Sequence, residues 1–288
     1  LASKLGTGPA VTRVRCFLLS RSTLRTDCLP MAKKSKSNRK AQLLSTPVEH
    51  IDITSFDARP IIDGMRKMSF SSRDTARAAD IFNMALEDKD CSPWLILAGS
   101  TSAGGCMDLY AELLRNNMID GVVATGATIV DMDFFEGLGH KHYQALEIPD
   151  DDTLRSLYID RIYDTLIDED ELRICDDTTK VIADSIEPRP YSSREFIAEM
   201  GAYLDKNGCK AADSIVYEAY KKNVPIFCPA FSDCSAGFGL IAHQAARDDR
   251  PKVSLDSAKD FLELTRWKAR IPQTGLFMIG GGVPKNFA

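Results

Sequence analysis

The chain has 288 residues, 44% hydrophobic and 27% charged, enough for one large or two small α/β domains, and no apolar run approaches the roughly 18–20 residues that span a bilayer. Charge is uneven: residues 1–40 hold ten of the 36 Lys/Arg and one of the 41 Asp/Glu, leaving 26 against 40, a net of −14, over residues 41–288. An acidic body argues against nucleic acid as a partner and favours cationic ligands.

Residues 1–30 stand apart. Arg13, Arg15, Arg21 and Arg25 among serines and threonines resemble a transit peptide, but Met31 reads as the natural start. Residues 1–30 are then upstream sequence or an extension, and residues 1–40 as a whole form a basic, flexible leader ahead of one domain, 41–288. Val48, Ile51, Ile53 and Phe56 could pack an arm onto that domain, with a short helix over Ile61–Met68. A helix capped by Ser71 or Ser72 runs to about Leu86.

The densest signal spans Trp94–Asp133. Trp94–Ala98 reads as a strand buried on both faces. Gly99-Ser-Thr-Ser-Ala-Gly-Gly105 follows, seven small residues that let a ligand approach backbone N–H groups and hydroxyls. A helix over Met107–Asn116 points its N-terminus at that turn, which suits phosphate. Ile119–Ala124 is the next strand and Thr125–Thr128 the next turn, followed by a brief helix over Phe134–Leu138. Residues 139–191 read as a helical insertion, with helices from Asp150 (Leu154, Leu157, Tyr158, Ile162, Tyr163) and over Glu169–Ile186. Helices over Arg194–Asp205 and Ala211–Lys222 follow, then strand Val224–Ala230 and a turn, Phe231–Gly239, with helix from Leu240. A short strand (Lys252–Asp256), a helix (Ser257–Trp267), a last strand (Gly275–Ile279) and the turn Gly280–Gly282 complete the chain. A strand and glycine turn with the next helix barely begun lead us to expect further C-terminal sequence.

The fold class expected is α/β and Rossmann-like, a mostly parallel sheet with helices on both faces. Four small-residue turns then lie along one sheet edge, where ligands bind. One such turn could be purely steric; four together point to a nucleotide-type cofactor, although the G-x-G-x-x-G spacing is absent. Asp131 and Asp133 follow the second turn and Asp233 lies in the fourth. Such carboxylates suit a ribose hydroxyl or an amine, and Asp131 could equally cap a helix. His140-x-His142 lacks further ligands for a metal, and His243 reads as packing. The eight cysteines show no C-x-x-C and read as free thiols of a reducing cytoplasm.

At these turns the sequence resembles the deoxyhypusine synthase family, specifically its bacterial deoxyhypusine synthase-like branch. The carriers are LAGSTSAGG (97–105), NNMIDGVVATGATIVDMDFFEGLG (116–139), PIFCPAFSDCSAGFG (225–239) and MIGGGVPKNF (278–287). The resemblance implies a cytoplasmic homotetramer in which NAD accepts a hydride from spermidine. A 4-aminobutyl group then passes through an enzyme lysine to a protein lysine, or to putrescine in homospermidine formation. It implies that Gly99, Ser100, Thr101, Ser102, Ala103, Thr125, Gly126, Ala127, Asp131, Asp233 and Gly281 line NAD. Asp131 and Asn286 would face the polyamine. Val130, Phe238 and Asn286 replace two acids and a histidine of the family pattern, so the donor and acceptor stay open between spermidine and a related amine. The family's lysine belongs to a W-G-K-like segment expected beyond Ala288. No catalytic residue is therefore named, and the chain alone is expected to be an inactive, NAD-binding portion of a transferase.

Overall fold

The computed structural model describes residues 29–211 and 213–288. The expectations for residues 1–28, with Cys16 and Cys28, lie outside them. The basic leader, expected to be flexible, is helical where it is described: α1 spans Leu29–Leu43. Its charges meet the acids of the insertion. Lys40 Nζ lies 2.7 Å from Asp168 and 3.0 Å from Asp170, and Arg39 pairs with Glu147 at 2.6 Å. Leu43 anchors the helix among Leu154, Leu157, Ile159 and Leu166.

The arm leads to α2 (Arg59–Met65) and α3 (Phe70–Glu87). Helix α3 begins after Ser69 with no side-chain cap, rather than at Ser71 or Ser72. Strand β1 (Cys91–Leu97), helix α4 (Met107–Arg115) and strand β2 (Gly121–Ala124) form the expected βαβ unit. A π-helical stretch, Ala127–Phe134, then runs into the single turn α5 (Phe135–Gly137).

The insertion carries its two helices and also a small sheet that helical spacing had hidden. Strand β3 (His142–Gln144) precedes α6 (Asp151–Ser156), which ends about two turns earlier than the apolar spacing suggested. A hairpin follows, β4 (Ile159–Ile162) and β5 (Thr165–Asp168), with β5 in the middle of the sheet and antiparallel to both β4 and β3. Tyr158 and Tyr163 both take left-handed φ, 57° and 54°, which stops helix propagation at each end of β4. Their rings are exposed, while Leu154, Leu157 and Ile159 face the local core.

Helix α7 (Glu169–Ser185) leads through β6 (Pro190–Tyr191) to α8 (Ser193–Asn207). Ser192 and Glu195 form a capping box at the start of α8. Helix α9 (Ile215–Lys222) starts later than the expected Ala211, because Asp133 and the Ser214 cap fix its first turn. Strand β7 (Ile226–Phe227), helix α10 (Ala236–Arg247), strand β8 (Ser254–Leu255), helix α11 (Ser257–Lys268), strand β9 (Gln273–Ile279) and helix α12 (Val283–Phe287) complete the order. Strand β8 pairs with β6 outside the main sheet.

The main sheet is parallel, in the order β7-β2-β1-β9. Leu97 is in register with both Ala124 and Ile279, and Val123 with Phe227. The four C-terminal strand ends therefore share one edge. Leu95, Leu97, Val122, Ala124 and Ile226 build the larger core with Met107, Tyr110 and Leu114 of α4 and Ile215 of α9. Trp94, Ile96, Val123 and Phe227 face the other way, against Leu264 of α11 and Phe287 of α12. Strands covered on both faces explain their unbroken apolar runs. Gly121 is required where it stands, since a Cβ would fall 2.8 Å from the Trp94 ring.

Candidate active site at the strand ends

Two hydroxyls tie the first turn to the second. Thr128 Oγ1 donates to the Gly99 carbonyl at 2.9 Å, and Thr125 Oγ1 lies 2.8 Å from Thr128 Oγ1. Between them opens a cleft of about 250 Å³ lined by Gly99, Ser100, Thr125, Gly126, Ala127 and Asp233, with Ala124, Ala230 and Val283. Six of the predicted positions thus meet in one place. Gly99 has φ +91°, and open space stands where a Cβ would project at Gly99, Gly281 and Gly282. Gly126 instead touches the fourth turn: a Cβ there would lie 2.7 Å from Cys234 Sγ and 3.1 Å from the Phe231 carbonyl.

Other predicted residues lie elsewhere. Thr101 Oγ1 bonds Tyr110 OH at 2.7 Å, and Ser102 and Ala103 are buried. They belong to a π-helical turn, Ser102–Cys106, in which Gly105 takes φ +95°. The Ser102 hydroxyl is buried with no hydrogen-bond partner. Asn286 stands exposed on α12 and lines neither this cleft nor the next.

Asp131 sits mid-way along the second π-helical stretch, a geometry common at functional sites. Its Oδ2 accepts the Ser235 N–H at 3.1 Å, while Oδ1 is buried without a partner. Burial, with Asp176 nearby, pushes its carboxyl up to about 7 against the pull of the Ser235 and Ala236 amides. Ser235 Oγ donates to Asp176 at 2.6 Å. Asp176 opens onto a second cleft of about 510 Å³, also lined by Asp160, Glu169, Asp177, Arg173 and Phe238. Burial and Asp177 raise Asp176 to about 6. The sequence reading of α7 as a helix singled out none of its acids; their signal is density, Asp168–Glu171 and Asp176-Asp177.

Asp133 has a different role. Fully buried, it accepts from Ser214 Oγ at 2.8 Å and from the amides of Ile215 and Val216 at 2.6 and 2.9 Å, capping α9. His142 is buried, with Nδ1 2.7 Å from Glu136. No group of three or more His, Cys, Asp or Glu fit for a metal occurs among the described residues. His243 is a packing residue, bonded to Asp184 at 2.7 Å and to the Val253 amide at 2.9 Å. Among the described residues Cys91, Cys106, Cys175, Cys209, Cys228 and Cys234 are free, and no helix is long and apolar enough to cross a membrane.

A parallel sheet flanked by helices, with a small-residue cleft where the strands end, defines an α/β protein of the Rossmann-like class. A solved structure of an Entamoeba histolytica protein assigned as a deoxyhypusine synthase shares the fold, with a TM-score of 0.59 and 17% identity over 82% of this chain and 79% of that one. The deoxyhypusine synthase family model matches residues 60–288. The chain is 64% identical over 254 residues to the "Deoxyhypusine synthase-like protein" of Caulobacter vibrioides, covering 88% of this chain and 69% of that one. It is 62% identical to the Coxiella burnetii protein of the same description, covering 88% and 72%. The "Probable deoxyhypusine synthase 2" of Methanosarcina acetivorans is 37% identical, over 84% and 69%. The chain belongs to the deoxyhypusine synthase family, in its bacterial deoxyhypusine synthase-like branch.

Proposed function

We propose that this chain carries the NAD and amine sites of a transferase that moves a 4-aminobutyl-type group from a polyamine or related amine to an amine acceptor. The observation that carries the reading is the meeting of Gly99, Ser100, Thr125, Gly126, Ala127 and Asp233 in one strand-end cleft, with Asp131 bonded to Ser235 of a second, acidic cleft. The residues fit a dinucleotide. Open backbone at Gly99 and Gly281, the hydroxyls of Ser100 and Thr125, and the Asp233 carboxylate supply phosphate and ribose partners. When bound, NAD would supply the hydride acceptor. Thr101, Ser102 and Ala103 support the loop from behind.

Asp131 has the charge chemistry for an amine. A carboxyl held near 7 by burial is suited to take a proton from an ammonium, and the free amine is the form an oxidation at its carbon requires. Asp176 and its neighbours hold the other ammonium groups of a polyamine. They supply acids that Val130 and Phe238 do not. We further propose a homotetramer, supported by the exposed Ile81 and Met84 of α3.

The test is calorimetric titration with NAD, then with spermidine, putrescine and agmatine on the NAD complex. Binding of NAD followed by an amine is expected; no NAD binding refutes the reading. Incubating a protein that extends through a W-G-K segment with spermidine, with putrescine or a lysine-bearing protein as acceptor, separates homospermidine formation from lysine modification.

A further inference from the structure

The arm between α1 and α2 crosses behind the glycine-rich turn. Pro47 bridges Tyr143, and the Val48 amide donates to the His142 carbonyl at 2.8 Å. Three residues on, the Ile51 amide donates to the Gly105 carbonyl at 2.8 Å. Gly105 is confined by this crossing as well as by its φ of +95°, since a Cβ would fall 2.8 Å from the Glu49 carbonyl. His50 occupies the crossing, with its side chain 8% exposed. Its Nδ1 lies 3.4 Å from the Met107 amide, the first of α4, and its Nε2 lies 3.0 Å from Glu136 Oε2. Glu136 is itself buried, bonded to His142 Nδ1 at 2.7 Å and to Lys141 Nζ at 3.4 Å.

We propose that His50 is a positioning residue: it latches the arm onto the end of the glycine-rich turn and thereby sets how tightly that turn holds its ligand. The part concerning the ligand rests on the NAD reading above. An amide can only donate, so Nδ1 accepts and the proton of the neutral ring sits on Nε2, facing Glu136. Protonating the ring places a second N–H on Nδ1, which costs the Met107 contact but strengthens the bond from Nε2 to Glu136. The groups facing His50 are Glu136, Lys141 and, at 3.7 Å, Asp213. Burial lowers the tendency of His50 to protonate, but the Glu136 bond and charge, with Asp213, outweigh burial and Lys141 and raise it above the ordinary value of 6.5. The contacts of the docked arm thus favour the protonated ring, so the arm stays held through Glu136 as pH falls and only the Met107 contact is given up.

The chain and its His50→Ala, His50→Asn and His50→Gln variants, each checked for native circular dichroism, are titrated with NAD between about pH 6 and 8. Amide exchange at Gly105–Met107 is followed without ligand. His50→Ala is expected to lose about five- to tenfold in NAD affinity and to exchange faster at Met107. Asn, whose Oδ1 replaces the Nδ1 acceptor, restores protection at Met107. Gln, which keeps only the donor to Glu136, does not. If the parent binds NAD and His50→Ala matches it in affinity and exchange, the latch is refuted. Faster exchange with unchanged affinity refutes its control of the ligand. If the parent binds no NAD, the cofactor reading fails and exchange alone decides: unchanged protection of Met107 in His50→Ala overturns the latch.

Discussion

Replacing Gly126 by alanine puts a methyl group where the second and fourth turns touch. The new Cβ would stand 2.7 Å from Cys234 Sγ, 2.9 Å from Cys234 Cβ and 3.1 Å from the Phe231 carbonyl. The first two distances lie well inside the ~3.5–4.0 Å at which heavy atoms attract, so one turn must move. Overpacking of this kind costs about 1–3 kcal/mol. Movement here also displaces Asp233 from Thr125 and Ala127 across a cleft of about 250 Å³, so NAD affinity falls by about tenfold or more, as a shift of roughly 1.4 kcal/mol in binding requires. Urea unfolding and calorimetric titration with NAD measure the two effects. A second substitution, Cys234→Ala, removes the sulfur but leaves the Cβ, and recovers part of both losses in the double variant. The coupling between the two sites is the sharp readout. Gly126→Ala with unchanged stability and NAD affinity would refute the packing argument, and purely additive losses in the double variant would show that Cys234 is not what Gly126 makes room for.

Asp131, Asp133, Asp176 and Asp260 all have carboxyls raised by burial to about 6–7. Their stabilising contribution is full below the unfolded value of 3.8 and is lost as pH rises through 6–7. The ligand-free chain is therefore more stable to urea near pH 5 than near pH 8, and Asp131→Asn is expected to flatten that slope and raise stability at pH 8. Loss of Asp133 removes three hydrogen bonds to the start of α9; Asp133→Ala should cost about 2–4 kcal/mol in urea unfolding while leaving the NAD cleft otherwise intact. Asp176→Asn is expected to weaken amine binding several-fold with NAD affinity unchanged, because Asp176 lines the acidic cleft alone; equal loss for both ligands would break the division of roles.

The βαβ unit was legible because Trp94–Leu97 and Val122–Ala124 are apolar on both faces and the turns between them are built of small residues. The hairpin over Ile159–Asp168 was not. Leu154, Leu157 and Ile162 satisfy a helical period as well as a short helix followed by a strand, and only pairing to β5 separates the two. Asp131 and Asp133 look alike in sequence. One faces an amide and a neighbouring acid and keeps an unpartnered oxygen; the other is spent on a helix 82 residues later.

Local order thus carries the nature of each turn, its glycine and hydroxyl content. It carries no distances between turns. The cleft exists because parallel pairing sets Leu97, Ala124, Phe227 and Ile279 at one edge, bringing residues 99, 126 and 233 together. The same holds for His50, a lone histidine in a connecting arm until folding places Met107 on one side of its ring and Glu136 on the other. Hydrogen bonds of that kind depend on ångström separations between segments far apart in the chain, and those separations are properties of packing, not of any one segment.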